Sequence, residues 1–208
     1  MAVLTGPLMS LDASGTIGKA VTYSKWKGRH YARTRVIPNN PKSDMQTGVR
    51  AMMSYLSKHW AGLSAGNKLT WHTLAEARQI THFNAFVSEC LTRWQVNQAP
   101  TEAYPAAEAS VPLTVTTQTL TGAAGYATIE VTPSGATAIA GIIIYRSLAA
   151  ITAPNWTQVI AVIEPDGANK VTYTDTPLEA GTYHYRTGIF NTDGILGTIK
   201  SDGTAAVT

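Results

Sequence analysis

The residues of this chain best suited to bind a partner are cations interleaved with aromatic rings near the N-terminus. Residues 14–43 contain no Asp or Glu. Tyr23, Trp26 and Tyr31 alternate there with basic side chains, and cations together with stacking rings can bind nucleic acid. Guanidinium groups also pair with carboxylates through two parallel hydrogen bonds, which suits an acidic protein surface. The candidate docking residues are Lys19, Lys25, Lys27, Arg29, Arg33 and Arg35.

The basic stretch has three interpretations on sequence grounds. It docks on an acidic protein surface, or it binds nucleic acid, or it is a solvated strand face with aromatic rings tucked beneath it. The residue types favour protein docking over direct DNA binding, because the arginine fork matches a carboxylate.

No set of side chains has the spacing of a catalytic or metal site. The five histidines lack ligand spacing, and the one cysteine, Cys90, has no partner and is predicted to be a buried thiol. Residues 15–19 resemble half of a phosphate loop but lack the Lys-Ser/Thr ending. The acids Glu76, Glu89 and Glu102 show no pairing suited to acid–base chemistry. We therefore expect neither an enzyme nor a cofactor nor a metal.

The elements that position the basic residues are predicted to be two strands. Apolar and polar residues alternate over 17–23 and again over 30–37, as in half-buried strands. Residues 25–28 are predicted to form the turn between them, since Gly28 tolerates positive φ. The prolines of 38–41 then predict an extended arm.

Three helices are predicted to follow. Ser43 and Gln46 have the spacing of a capping box, and apolar residues continue at helical spacing until about residues 61–62. Ser64 begins a second helix, and residues 83–94 have the spacing of a third. The tryptophans Trp60, Trp71 and Trp94 are expected in the core. Residues 1–97 are thus predicted to be an α+β module built from a basic hairpin and about three helices.

The remainder is predicted to be a linker and a β-sandwich. Residues 98–112 are rich in Ala and Pro and predict a semi-extended linker. From residue 113 onward, short β-rich runs alternate with turn residues, which predicts an all-β sandwich over 113–208. The seven predicted strands are 113–120, 126–131, 139–148, 156–163, 170–175, 181–190 and 195–200.

The sequence resembles two known families. Over residues 14–94 it is similar to small virion structural proteins of tailed phages and prophages, through Gly15-Thr16-Ile17-Gly18, the basic run 29–35, Asn40-Pro41, Gln46, Arg50, Trp60, Trp71 and Asn84-Ala85-Phe86. Over residues 111–208 it resembles a fibronectin type III domain, through Ile144-Tyr145-Arg146-Ser147, residues 174–178, residues 181–186, Asn191 and Gly194. That family's core Trp of the second strand is replaced by Val131-Thr132.

The first resemblance implies a structural protein of a bacteriophage virion, located at the neck, tail or capsid surface as a decoration protein. Its implied partners are other virion proteins in a symmetric assembly that includes copies of itself. The N-terminal module would dock to the particle, and the sandwich would project, with weak contact to host-surface glycans as one role. The alternatives are a nucleic-acid-binding module and a carbohydrate-binding adhesin.

Charge and hydropathy agree with a protein of two modules that is not bound to a membrane. Residues 1–105 hold 12 Lys and Arg against 5 Asp and Glu, whereas residues 106–208 hold 4 against 8. This split predicts two modules with different surroundings. The sequence contains neither a recognisable signal peptide nor an apolar run of about 20 residues. We therefore expect synthesis in the host bacterial cytoplasm and no membrane association.

Overall fold

The computed structural model describes residues 14–17, 20–37, 39–40, 43–107, 113–134, 139–165 and 170–208. The chain divides into two compact units, which are called here the N-terminal unit (Met1–Pro41) and the body (Lys42–Thr208). The predicted division at residues 98–112 therefore differs from the observed one, which lies between the basic strands and the first helix.

The N-terminal unit is a three-stranded antiparallel sheet. Its strands are β1 (Gly15–Ile17), β2 (Val21–Trp26) and β3 (Arg29–Thr34), in the order β1-β2-β3. The predicted hairpin is formed by β2 and β3. Its turn is shorter than predicted, because only Lys27 and Gly28 lie between the strands, with φ of 47° and 78°. Positive φ at both positions matches the twist of paired strands.

Two details of the N-terminal prediction change. The predicted first strand over residues 17–23 is divided between β1 and β2. The amide of Ala20 donates to the carbonyl of Ile17 at 3.1 Å, so the chain reverses between these two strands. Of the predicted arm, Pro38 and Pro41 lie outside the described residues, and Asn39 and Asn40 are exposed.

The body begins with four helices. They are α1 (Asp44–Gly62), α2 (Ala65–Thr70), α3 (His72–Arg78) and α4 (His82–Gln95). The predicted second helix is thus broken at Trp71. Ser64 caps α2 by accepting from the amide of Asn67, as predicted, but Ser43 makes no side-chain cap, so the capping box is not formed. On the predicted apolar face of α1, Met52 and Leu56 are buried while Met45 is exposed.

Seven strands follow within the described residues and form a sandwich of two antiparallel sheets, which confirms the predicted fold class. One sheet has the order β4-β5-β8 and the other has the order β10-β9-β6-β7. The strands are β4 (Thr114–Ala123), β5 (Tyr126–Ser134), β6 (Ile139–Ser147), β7 (Val159–Ile163), β8 (Val171–Asp175), β9 (Gly181–Asn191) and β10 (Gly203–Val207).

Two predicted strands are corrected. Residues 195–200 make only isolated bridges, Phe190 to Leu196 and Thr114 to Thr198, and the last strand is β10 instead. The side chain of Asn191 accepts from the amide of Ile195 at 2.8 Å in the loop after β9, and the segment then meets β9 through scattered backbone bonds from Gly197 to Ile189 and from Lys200 to Thr187. Residues 156–158 form a 3₁₀ turn, and β7 starts only at Val159.

Strand β6 lies in the middle layer of the body. Its residues Ile142 and Ile144 belong to the core between the two sheets, whereas Ile143 and Tyr145 belong to the core beneath the helices. A continuous apolar run is the pattern expected of a strand that is buried on both faces. The body therefore has three layers: helices, the four-stranded sheet and the three-stranded sheet.

Specific contacts fix the helices on the outer face of the sheet. The Tyr55 hydroxyl donates to the carbonyl of Ala140 at 2.9 Å, and the Tyr55 ring meets the Phe190 ring edge-on. The absence of a side chain at Gly48 brings α1 close to the backbone of Trp156 and Val159, since a Cβ there would lie 3.0 and 3.1 Å from their carbonyl oxygens. The helices and the four-stranded sheet therefore share one core, which is separate from the core between the two sheets.

The described part of the predicted linker is packed rather than extended. Ala99 and Thr101 are buried, and the amide of Glu102 donates to the carbonyl of Thr192 at 3.0 Å. The Trp71 indole donates to the Glu102 carbonyl at 3.0 Å. Residues 99–105 thus connect the helical layer to the sandwich, because their backbone polar groups are satisfied by both.

Candidate docking surface

Three of the candidate arginines lie on one face of the N-terminal sheet. Residues directly opposite in an antiparallel pair share a face, and successive residues alternate. The register pairs Trp26 with Arg29, and it pairs Thr22 with Arg33. The amide of Arg35 donates to Ala20 at 2.7 Å, so the alternation extends one residue beyond β3. We call this side the arginine face; it comprises Trp26, Arg29, Tyr31, Arg33, Arg35 and the hydroxyl residues Thr16, Thr22 and Ser24.

The hydroxyl residues confirm this assignment of faces. The Oγ1 atoms of Thr16 and Thr22, on adjacent strands β1 and β2, lie 3.1 Å apart. Both are therefore on the same side of the sheet as Arg33, which is paired with Thr22. The arginine face is accordingly polar over all three strands.

The opposite side of the sheet is more apolar. It carries Ile17, Val21, Tyr23 and Ala32, which the register places next to one another. Lys25 is paired with His30 on this side, so the structure separates Lys25 from the arginines with which the sequence grouped it. Ile17 is exposed over 66% of its surface.

The remaining two lysines have different positions. Lys27 is in the turn, and its Nζ lies 5.0 Å from the centroid of the Trp26 ring. This cation–π contact occupies one side of a ring that is itself 65% exposed. Lys19 lies outside the described residues.

The charge of the molecule is divided at the boundary between the two units. The N-terminal unit holds six Lys and Arg and one acid, Asp12, whereas the body holds ten against twelve. The cationic excess is therefore more concentrated than the composition of the halves indicated, whereas the body is close to neutral. A unit with such an excess of cations attracts carboxylates or phosphates.

Sequence reasoning missed a charged cluster in the body. His59 on α1 lies with Nε2 3.1 Å from a Glu102 oxygen and with Nδ1 3.2 Å from a Glu164 oxygen. The Asn67 amide donates to the other Glu102 oxygen at 3.0 Å. Burial lowers the pKa of His59, but the hydrogen bonds and charges of both glutamates outweigh it, and the net pKa is raised. No signal in sequence spacing connects these residues, which are up to 105 positions apart.

Cys90 and Trp156 both have packed surroundings in the body. Cys90 is buried, its thiol donates to the Thr101 carbonyl, and burial raises its pKa to about 12, as expected of an inert thiol. The Trp156 ring meets the Trp94 ring edge-on at 5.4 Å and packs against the helical core. Among the described residues, no group of three or more His, Cys, Asp or Glu is arranged to hold a metal. Nor does a helix in this part of the chain have the length and apolarity to span a bilayer.

Comparison with known proteins gives only partial structural similarity. No family model matches the sequence, and no curated protein matches it. Matching solved structures include the fibronectin(III)-like modules of CbhA from Clostridium thermocellum, with 17% identity over 46% of this chain and 45% of that chain, at a TM-score of 0.34. The β-1,2-glucanase of Parabacteroides distasonis has 20% identity over 48% of this chain and 14% of that chain, at a TM-score of 0.34.

A superoxide reductase (neelaredoxin) from Ignicoccus hospitalis also matches. It has 15% identity over 52% of this chain and 91% of that chain, at a TM-score of 0.30. The alignment spans less than half the length of the first two proteins. At these TM-scores none of the three carries an argument about function.

Proposed function

We propose that this chain is a non-enzymatic structural component of a tailed-bacteriophage virion, and that its N-terminal unit docks through the arginine face on acidic surfaces of other virion proteins. The body, with its sandwich, projects from the particle. The main observation that supports this proposal is the clustering of Arg29, Arg33 and Arg35 on one exposed face of a sheet. The resemblance of residues 14–94 to phage virion proteins supports the choice of partner.

The chemistry of the arginine face favours a protein partner. Arginine binds carboxylates through two parallel hydrogen bonds and is more weakly hydrated than lysine, so it loses less on entering an interface. The three guanidinium groups are accompanied on this face by Tyr31 and Trp26, which are residue types enriched in interface cores. A cationic face of this kind is complementary to an acidic wall.

The proposal is tested by reversing two charges on the arginine face. The double variant R33E/R35E places carboxylates against a partner's carboxylates, so it should be absent from purified particles. Its fold should persist, because Arg33 and Arg35 are exposed and exposed charges contribute about 0–1 kcal/mol each. Particle incorporation is measured by quantitative mass spectrometry, and folding by circular dichroism.

A matched control uses the two sides of the same sheet. Arg33→Glu and Lys25→Glu make the same change in net charge on opposite sides. We expect R33E to lower incorporation far more than K25E. Equal losses would show that net charge alone matters, and normal incorporation of R33E/R35E would contradict docking.

The location in the particle is measured by copy number. Neck and tail proteins follow ring symmetry, so about six to twelve copies per particle would place the chain there. Hundreds of copies would place it on the capsid surface as a decoration protein.

Nucleic-acid binding is the second candidate, and the observation in its favour is the exposed ring of Trp26 beside three arginines. It predicts that the purified wild type binds labelled duplex or single-stranded DNA, with affinity that falls steeply between about 50 and 200 mM salt. Tight, salt-dependent DNA binding together with normal incorporation of R33E/R35E would favour this function. The docking proposal predicts no tight DNA binding by the wild type and loss of R33E/R35E from particles.

A further inference from the structure

Strand β3 is an edge strand. The sheet has the order β1-β2-β3, and no strand in the described part of the chain pairs with β3 on the side away from β2. An edge strand presents backbone N–H and C=O groups that can pair with a strand of another chain. The same strand carries the arginines of the arginine face, so the open backbone edge and the positive charges lie on one strand.

The register shows which backbone groups point to that edge. In a hairpin with a two-residue turn, the residues flanking the turn form a hydrogen-bonded pair, and bonded pairs then alternate. Trp26–Arg29 is the flanking pair, and the bond from Arg35 N to Ala20 O fits the same alternation. Residues 29, 31, 33 and 35 therefore direct their backbones toward β2. Ala32 and Thr34 direct theirs toward the open edge.

We infer that the β3 edge accepts an extended acidic segment of the partner protein as a fourth strand, with carboxylates at alternate positions beside Arg33 and Arg35. This inference rests on the proposed docking function and specifies its geometry. Alternate residues of a strand lie about 6.7 Å apart. Carboxylates with this spacing fall directly opposite Arg33 and Arg35, where opposite-charge pairs stabilise a sheet.

The charges of β3 also select against other occupants. A second copy of β3 would bring arginines opposite arginines, and like charges directly across a strand pair are unfavourable. A nucleic acid would meet the guanidinium groups but has no amide ladder to pair with Ala32 and Thr34. Val36 and Ile37, which follow β3, are exposed over 73% and 75% of their surfaces. They offer apolar contact to a partner strand that continues beyond the end of β3.

A peptide experiment tests the edge directly with the full-length protein. The probe is a fluorescein-labelled peptide of about ten residues in which Glu alternates with Thr, and binding is followed by anisotropy at about 150 mM salt. Two N-methylated forms are compared, one methylated at the Thr amides and the other at the Glu amides. Each form blocks one edge of the peptide without changing its charge. Strand addition predicts that one form binds at least about tenfold more weakly than the other.

Matched protein variants test the other side of the contact. Ala32→Pro removes an outward N–H but no bond to β2, whereas Ala32→Val keeps the N–H. We expect A32P to weaken binding of the unmethylated peptide at least about tenfold and A32V to leave it within about twofold of the wild type. R33E/R35E should abolish binding. Because A32P can also disturb the sheet, the two methylated peptides supply the same test with the wild-type protein.

The outcomes separate this inference from the proposed function. Equal binding of both methylated peptides, or no binding of the unmethylated peptide to the wild type, overturns strand addition. If R33E/R35E is then still missing from particles, the docking function stands and only its geometry falls. If the methylated forms differ but R33E/R35E enters particles normally, strand addition stands and the virion function falls. If the protein dimerises with rising concentration and the dimer displaces the peptide, the partner at the β3 edge is a second copy of this chain. That result would overturn the inference of an acidic segment.

Discussion

Trp71 joins the helical layer to the connecting segment through both its ring and its indole nitrogen. The ring is fully buried between Phe86 and Tyr104, and the indole N–H donates to the Glu102 carbonyl. Trp60 is only partly buried, although its ring contacts Phe83 and Phe86. Trp60 and Trp71, two of the three tryptophans expected in the core, therefore differ in how much they stabilise it.

The first prediction concerns these two rings. Trp71→Ala should lower the free energy of unfolding by roughly 3–5 kcal/mol, because it leaves a cavity and an unsatisfied carbonyl. Trp60→Ala should cost less, since part of its ring already contacts solvent. Urea unfolding measures both. Trp26→Ala is the control: that ring is exposed, and its loss should change stability by no more than about 0.5 kcal/mol. An unchanged midpoint for W71A would refute this account.

The second prediction concerns His59. Neutral imidazole has one N–H, so only the protonated ring donates from both nitrogens to Glu102 and Glu164. Since the folded-state pKa is raised above 6.5, protonated His59 stabilises the fold. That contribution is complete below the unfolded pKa and is lost as pH rises through the folded pKa. The melting temperature of the wild type should therefore exceed that of His59→Gln by more at about pH 6 than at about pH 9.

A companion variant identifies the cause of that pH dependence. Glu164→Gln removes one of the two carboxylates while keeping the shape of the side chain, so it should reduce the pH-dependent difference without eliminating it. A difference between the wild type and H59Q that is constant with pH would show that His59 contributes packing alone.

The burial and contacts of these side chains were only partly predictable from the sequence. Trp71, Trp94 and Cys90 were placed correctly in the core, because apolar residues at helical spacing must turn one face inward. The cluster of His59, Glu102 and Glu164 was not, since its members come from a helix, a connecting segment and the end of β7. Nothing local in the sequence records a contact between such distant positions.

At the scale of elements, glycines decide how closely strands approach. Gly122 in β4 faces the backbone of Ala206 in β10, and a Cβ at this position would overlap the Ala206 carbonyl. The amide of Thr208 donates to Ala123, and the amide of Gly125 donates to Thr208, so the two sheets meet at this corner.

The third prediction follows from that contact. Gly122→Ala should destabilise the protein by about 1–3 kcal/mol, because backbone must move to admit the methyl group. Gly181→Ala in β9 is the matched control, since its Cβ would lie 3.9 Å from the Tyr183 ring in ordinary contact. Thermal unfolding of both variants measures the effect. Equal melting temperatures for the two would contradict the close approach.

Elements were predictable where their pattern was unambiguous. The apolar run of β6 and the alternation in β3 predicted strands correctly, and Ser64 predicted a helix start correctly. Residues 195–200 have the same strand-like composition but form no strand. Gly197 lies there against Leu113, so close that a Cβ would sit 2.5 Å from the Leu113 carbonyl oxygen, and this crossing replaces ladder pairing.

At the scale of the whole molecule, the boundary between the two units determines where a protease cuts. The cations of the described N-terminal unit are exposed, whereas Ala99 and Thr101 are buried and residues 99–105 are tied by hydrogen bonds. Proteolysis requires local opening, which is rare where the backbone is buried and bonded.

The fourth prediction is therefore a limited digestion with trypsin. We expect rapid cleavage in the N-terminal unit and a resistant fragment that begins near Ser43 and runs to the C-terminus. Mass spectrometry of the fragment and circular dichroism of its fold are the measurements. Two folded fragments divided between residues 97 and 112 would support the linker expected from composition instead.

Composition misplaced this boundary for a physical reason. Alanine and proline lack long polar side chains, so a segment rich in them is equally compatible with a linker and with a packed connection. Here the residues around Thr101 meet the helices on one side and the loop after β9 on the other. The charge split pointed to two units, but its position became clear only with the contacts.

The double burial of β6 has a consequence for how the body can be divided. A β-sandwich that folds as a separate domain needs both of its outer faces to tolerate water. A sandwich cut from this chain at residue 113 would expose Ile143, Tyr145, Val159 and Phe190, which now lie beneath the helices. Such a patch would make the excised piece prone to aggregation. Helices and sandwich can therefore be transplanted together but not apart, and a chimera should join this chain on the N-terminal side of α1.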